Sequence, residues 1–171
     1  MWLVILINAI LIWLVLLAQT AVWSLPAGFN FLNIVLVVLI YILVIFGPYR
    51  AAWWFLAFGW FLDIFQFNVF GANLLALGLC FGIVFFLLSN FITNRSLYSI
   101  WLLTVVATFI YDGVLGLFTA WRFNDWSIFA SVHGELWRLI ANLLLATVLF
   151  YFFGAVSKRV RPVFLKDFKR F

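Results

Sequence analysis

The chain has 171 residues, of which 69% are hydrophobic and only 9% are charged, whereas about a quarter of the residues in a soluble globular protein are charged. This composition excludes an ordinary soluble domain and favours an integral membrane protein. The net charge of +5 comes mostly from a basic C-terminal tail rather than from a broad basic face, so we expect no nucleic-acid partner.

Apolar stretches near 20 residues are typical of membrane-spanning helices, because a helix rises about 1.5 Å per residue through a hydrocarbon core of about 30 Å. Pro48 separates two such stretches, since it disfavours helical geometry at Gly47. The third stretch is short, so five spans with a re-entrant third segment are the alternative. We predict an all-α fold, a polytopic membrane helix bundle of about six transmembrane helices over 1–156. The predicted spans are 2–23, 31–47, 51–66, 71–92, 97–118 and 136–156.

The basic residues predict the orientation of this bundle. The tail over 157–171 carries six lysines and arginines, and such residues favour the cytoplasmic side of a membrane. We therefore predict a cytoplasmic tail that contacts anionic lipid, where each basic residue contributes about 1 kcal/mol. An even number of spans places the N-terminus on the same side. Arg50 and Arg95 then fall in cytoplasmic loops, and the longest loop, 119–135, lies outside.

Two aspartates interrupt the apolar stretches, Asp63 in the third and Asp112 in the fifth. A charged side chain at mid-bilayer costs about 2.5–3.5 kcal/mol, so it usually faces the bundle interior and finds a partner. One candidate partner is Arg138, at the outer start of the sixth span. Another is the start of the fourth span, near Gly71 and Asn73, where backbone N–H groups lack intrahelical acceptors. We interpret the aspartates as joints between helices; the alternative is a role in binding a ligand, a proton or a partner.

Small residues and missing motifs add two further expectations. Gly78 and Gly82 form a G-x-x-x-G pattern in the fourth span, which permits close helix approach, and we favour packing within the bundle over a dimer face. His133 and Cys80 are the only residues of their types, and no metal cluster, catalytic triad or phosphate-binding loop is visible in the sequence. We therefore expect no cofactor and no enzymatic activity.

A longer pattern extends over 32–78, where a short polar turn joins two apolar spans. The turn is followed by Gly59, Asp63 and Ile64 in a G-x-x-x-D-[IL] pattern, and then by Gly71, which opens the next span. This stretch resembles the bacterial rod shape-determining protein MreD family. In that family a later span tends to carry a second acidic residue, which Asp112 matches in position. The basic tail after the last span is similar too.

The resemblance implies a non-enzymatic scaffold of the bacterial cell-wall elongation complex, which maintains rod shape by binding an MreC-like single-span partner in the inner membrane. It also implies that the protein works beside a RodA-like glycan polymerase, a class B penicillin-binding protein and an MreB-like filament. The MreD family is similar in fold to the substrate-binding subunits of energy-coupling-factor transporters, so a small-molecule-binding transporter subunit is the alternative. A membrane enzyme that uses both aspartates is a third possibility. The candidate structural or partner-binding residues are Gly59, Asp63, Gly71, Asn73, Gly78, Gly82, Asp112 and Arg138.

Overall fold

The computed structural model describes residues 2–25, 32–66, 70–92, 96–124 and 132–164, which form six α-helices. The predicted all-α fold is confirmed over these residues. Four helical segments are long and apolar enough to cross a membrane: Ile5–Trp23, Ala72–Asn90, Leu97–Phe123 and Gly134–Phe153. The chain is therefore a multi-pass membrane protein. The helices are α1 (Trp2–Trp23), α2 (Ile34–Phe46), α3 (Pro48–Gln66), α4 (Ala72–Asn90), α5 (Leu97–Phe123) and α6 (Val132–Phe164).

The helix ends differ from the predicted spans at the start of α3, around the longest loop and in the tail. Helix α3 begins at Pro48 and not at residue 51, so Arg50, predicted in a loop, lies in its first turn. Helix α5 continues to Phe123, because no proline interrupts its apolar run, and it ends where Asn124 adopts a left-handed conformation with φ of 50°. Helix α6 already begins at Val132, so the loop predicted over 119–135 is shorter than expected. At its other end α6 runs to Phe164, inside the predicted tail of 157–171.

Helix α2 occupies the centre of the bundle. It contacts all the other helices, which follow one another around it in the order α1, α3, α4, α5 and α6. Its 13 residues span about 20 Å, less than a hydrocarbon core of about 30 Å. Nine of those residues are buried, as expected for a helix that is apolar on all sides.

The third predicted span is one continuous helix, α3, and it packs beside α2. Gly47 alone joins the two helices, and its φ of +87° reverses the chain in a conformation that glycine adopts without strain. Pro48 is the first residue of α3, a position where its missing N–H is not needed. Helices α2 and α3 are not among the four long apolar segments, because α2 is short and the polar residues of α3, including Arg50 and Asp63, lower its mean hydropathy.

Neighbouring helices in the chain run in opposite directions, as cross-helix pairs of side chains and backbone groups show. We call the end that contains Asp63 and Asn73 the polar end, and the opposite end, where α1 starts and α6 finishes, the terminal end. Helix α1 therefore begins on the same side of the bundle on which α6 finishes. The pairs are Gln19 with Ile34, Asp63 with Asn73, Phe55 with Phe81, Asn73 with Tyr111, Cys80 with Ala107, Asp112 with Arg138, and Trp101 with Thr147.

Candidate functional site

Asp63, in the last turn of α3, lies against the first turn of α4. Its Oδ1 accepts a hydrogen bond from the backbone N–H of Asn73 at 2.8 Å and another from Asn73 Nδ2 at 3.1 Å. Its Oδ2 accepts one from the backbone N–H of Leu74 at 3.2 Å. The two backbone N–H groups lie in the first turn of α4 and have no acceptor within that helix. The positive end of the helix dipole also favours a carboxylate at this position. Asp63 is only 6% exposed, so water does not weaken these bonds.

Gly59 lies one turn before Asp63 on the same face of α3. A Cβ atom built on Gly59 would be 2.6 Å from Leu74 Cδ1 and 3.0 Å from Leu74 Cα. Only a residue without a side chain therefore lets the backbone of α4 come this close. The same residue of α4, Leu74, thus meets Gly59 through its side chain and Cα and meets Asp63 through its N–H.

Gly71 and Asn73 complete this junction on the α4 side. Gly71 precedes α4 with φ of +92°, in the left-handed region, and caps the helix without any side-chain hydrogen bond. Asp63, from a different helix, takes the place of the missing capping side chain. Asn73 Oδ1 accepts a hydrogen bond from the Tyr111 hydroxyl at 2.8 Å, so the junction joins α3, α4 and α5.

The start of α2 has a corresponding arrangement that the sequence analysis did not identify. Gln19 of α1, which is 1% exposed, accepts hydrogen bonds at Oε1 from the backbone N–H groups of Ile34 and Val35, at 2.7 and 3.3 Å. Its Nε2 donates to the carbonyl oxygen of Leu32 at 3.1 Å. A glutamine within an apolar span is the sequence signal that could have identified it, because such a group needs a partner in lipid.

Asn142 of α6 was also missed, and it ties α6 to α2 and α5. Its Oδ1 accepts from the backbone N–H of Asn33 at 2.9 Å, and its Nδ2 donates to Thr108 Oγ1 at 3.2 Å. The Asn33 side chain caps α2 by accepting a hydrogen bond from the N–H of Leu36 at 3.0 Å. Thr108 lies one turn before Tyr111 on α5, so α5 connects this group to the α3–α4 junction.

Together these side chains form a layer of hydrogen-bonded polar groups, buried except for the half-buried Asn33, which we call the polar layer. Each of α1, α3, α4, α5 and α6 contributes to it, and α2 contributes through its N-cap residue. In lipid the hydrophobic effect does not drive helices together, so hydrogen bonds of this kind help to hold them in place. The members of the polar layer are Gln19, Asn33, Asp63, Asn73, Thr108, Tyr111 and Asn142.

Asp112 and Arg138 form an ion pair between α5 and α6. Arg138 donates from one terminal nitrogen to Asp112 Oδ1 at 3.1 Å, and the same nitrogen lies 3.9 Å from Glu135. The Asp112 side chain is 11% exposed and that of Arg138 is 43% exposed; Asp112 Oδ2 has no hydrogen-bond partner among the described residues. The structure thus gives the two aspartates separate partners, Asp63 on α4 and Asp112 on α6.

We expect Arg138→Gln to lower the free energy of unfolding by about 1 kcal/mol, because the largely buried Asp112 loses its counter-ion while Arg138 was half in solvent. Chemical unfolding in mixed detergent micelles measures this. The double variant with Asp112→Asn should lose less than the sum of the two single losses. Glu135→Gln should lower the free energy of unfolding less than Arg138→Gln does, since the Glu135 carboxylate lies 3.9 Å from the Arg138 nitrogen and is 44% exposed. Additive losses would show that the pair does not interact.

The two glycines of the G-x-x-x-G pattern have different surroundings. A Cβ atom on Gly78 would meet the Phe55 ring at 3.3 Å, but one on Gly82 would meet nothing within 4 Å. The expected packing within the bundle is therefore present at Gly78 and wrong for Gly82, which is exposed. The reason is that Phe55 stacks on Phe81, and these bulky rings fill the space between α3 and α4.

Among the described residues, no group of three or more His, Cys, Asp or Glu side chains could hold a metal ion. No protein-family model, curated protein or solved structure matches this chain significantly. The geometry of the polar layer and the sequence pattern around it are therefore the features that bear on function. Chemically, that geometry pairs donors with acceptors across helices.

Proposed function

We propose that this chain is a non-enzymatic membrane scaffold of the bacterial cell-wall elongation complex, which helps to maintain rod shape by binding an MreC-like single-span protein. On this proposal the bundle crosses the inner membrane six times, with both termini in the cytoplasm. A RodA-like polymerase, a class B penicillin-binding protein and an MreB-like filament are the further partners that we propose. The fold would then be similar to that of the substrate-binding subunits of energy-coupling-factor transporters.

The observation that carries the proposal is the convergence of the pattern residues. Gly59, Asp63 and Gly71 are separated in sequence but meet at the single α3–α4 junction. Gly59 permits close approach, Asp63 caps α4, and Gly71 supplies the left-handed turn before it. The spacing of the pattern that resembles the MreD family thus has a physical reason in this chain, which supports the resemblance.

A rigid interior with apolar outer faces also suits a scaffold. The polar layer pairs the buried groups of the helices with one another. By contrast, only 11% of the apolar windows of α1 and α6 is buried. In lipid, a single-span partner would bind such faces by van der Waals packing and close helix approach. The mechanism would be recognition of a fixed helix surface, with no chemical step.

A photo-crosslinking scan in the native membrane tests this proposal. A photoreactive amino acid is placed at one exposed position on each outer helix, and captured proteins are identified by mass spectrometry. We expect one or two adjacent helices to capture an MreC-like single-span protein while the other positions do not. The positions are Leu14, Trp60, Phe86, Leu117 and Val148, all of them exposed.

The outcomes separate the proposal from its alternative. Capture of a single-span protein together with wall-synthesis components would support the scaffold. Capture of ATPase and coupling subunits would contradict it and would support a small-molecule-binding transporter subunit. Equal capture at all five positions would indicate random collision in the membrane and would also contradict a defined scaffold face.

A further inference from the structure

We propose that a groove between α1 and α6 binds one transmembrane helix of a partner protein, and that a polar side chain of this helix hydrogen-bonds to the hydroxyl of Tyr41. This inference rests on the scaffold function proposed above and deepens it, because it assigns the place where the single-span partner binds. We call this surface the α1–α6 groove; its floor consists of Ile34, Val38, Tyr41 and Ile45 of α2.

The helices around α2 leave one side of it open. Helix α1 packs on α2 and α3, and α6 packs on α2 and α5, but α1 and α6 make at most a marginal contact with each other over the described residues. Packed helices lie roughly 8–10 Å apart, so a central helix has room for about six neighbours of similar diameter. Helix α2 has five neighbours, and the remaining place lies between α1 and α6.

The burial of α2 agrees with this opening. Every residue from Val35 to Val44 is buried except Val38, which is half-buried. Ile34 is also half-buried and Ile45 is exposed. Intervals of four and seven residues place Ile34, Val38 and Ile45 on one face of a helix. Since α1 and α6 are the two consecutive neighbours that do not pack together, this face forms the floor of the groove between them.

Tyr41 lies on the same face, three residues after Val38, and its hydroxyl has no partner in the described part of the chain. The Tyr41 ring stacks on that of Phe153 in α6, with centroids 4.7 Å apart, so α6 borders the floor. Tyr41 is only 5% exposed, and a buried tyrosine hydroxyl usually finds a hydrogen-bond partner. Among the described residues, Asp112 Oδ2 is the only fully enclosed side-chain oxygen or nitrogen without a partner. The Tyr41 hydroxyl can therefore be reached from the groove.

The unpaired hydroxyl favours a protein helix over other occupants of the groove. The acyl chain of a lipid has no group that hydrogen-bonds to Tyr41, whereas a serine, threonine or asparagine of a neighbouring transmembrane helix does. A second copy of this chain fits less well, because a two-fold interface places the same surface on both subunits, and two facing grooves leave space between them. A single helix is convex and fills the groove.

Photo-crosslinking of the full chain in its native membrane tests the proposal. A photoreactive amino acid is placed at Val38 and, in a second variant, at Ile45, both on the floor of the groove. The control position is Phe86, which is exposed on α4 and lies away from the groove. We expect both floor positions to capture a single-span protein and Phe86 to capture none. Ile45 provides the test if the bulky amino acid at Val38 prevents folding.

Tyr41→Phe in the same crosslinking variants tests the hydrogen bond. We expect it to lower capture at the floor by about three-fold, the factor that corresponds to one hydrogen bond between transmembrane helices. The stability of the isolated chain should not change, because the hydroxyl has no partner within it and the ring still stacks on Phe153. Tyr151→Phe is the matched control, since Tyr151 is 63% exposed on α6, and it should leave capture unchanged.

The outcomes separate this proposal from the scaffold function. Capture of a single-span protein at Phe86 or another outer position, but not at the floor, would overturn the groove and leave the scaffold intact. Capture of no single-span protein at any position would contradict both. Capture of a second copy of this chain at the floor, or capture that Tyr41→Phe does not lower more than Tyr151→Phe, would overturn the proposal as stated.

Discussion

Asp63→Leu is expected to lower the free energy of unfolding by about 3 kcal/mol, because the variant leaves the N–H groups of Asn73 and Leu74 without acceptors in a buried site. Asp63→Asn keeps one acceptor oxygen, so we expect a loss of only about 1 kcal/mol. Chemical unfolding in mixed detergent micelles, followed by tryptophan fluorescence, measures both values.

Tyr111→Phe provides the control for the Asp63 variants, because it removes only the hydroxyl that donates to Asn73 Oδ1 and leaves the bonds to Asp63 intact. Its loss should be smaller than that of Asp63→Leu. If Asp63→Leu were as stable as the wild type, Asp63 would not be a joint between α3 and α4. Equal losses in Asp63→Leu and Asp63→Asn would show that the acceptor geometry, and not the presence of an oxygen, decides the effect.

Gly59→Ala is expected to destabilise the bundle by about 2 kcal/mol, because overpacking forces neighbouring groups apart. The new Cβ atom would lie 3.0 Å from the Cα of Leu74, and a backbone atom cannot move away as a side-chain end can. Separating α3 from α4 would also lengthen the hydrogen bond from Leu74 to Asp63. The same unfolding experiment measures the loss.

Gly82→Ala is the matched control in the neighbouring helix. Its Cβ atom would meet nothing within 4 Å, so we expect no loss and a gain of up to about 1 kcal/mol from the better helix propensity of alanine. Gly78→Ala should lie between the two, because its nearest neighbour is the end of the Phe55 ring. The close-approach argument fails if the three variants have the same stability.

The residues of the candidate site that lie close to one another in the sequence could be predicted as partners. Asp63 and Asn73 are only ten residues apart, and a carboxyl group at the end of one helix readily reaches the start of the next. The group around α2 could not be predicted in this way, because Asn142 and Asn33 are 109 residues apart. Nothing local in the sequence says which of the apolar helices will be neighbours.

Long apolar runs in the sequence predict helices in a membrane, because in lipid the backbone N–H and C=O groups must bond to one another within the segment. The apolar surroundings of Asp63 in the sequence likewise predict that this aspartate needs hydrogen-bond donors. The central place of the short, wholly apolar α2, with Gln19 and Asn142 bonded to its first residues, follows only from the packing of the folded chain. Periodicity cannot orient a helix that is apolar on every side, so contacts with the neighbouring helices decide where it lies.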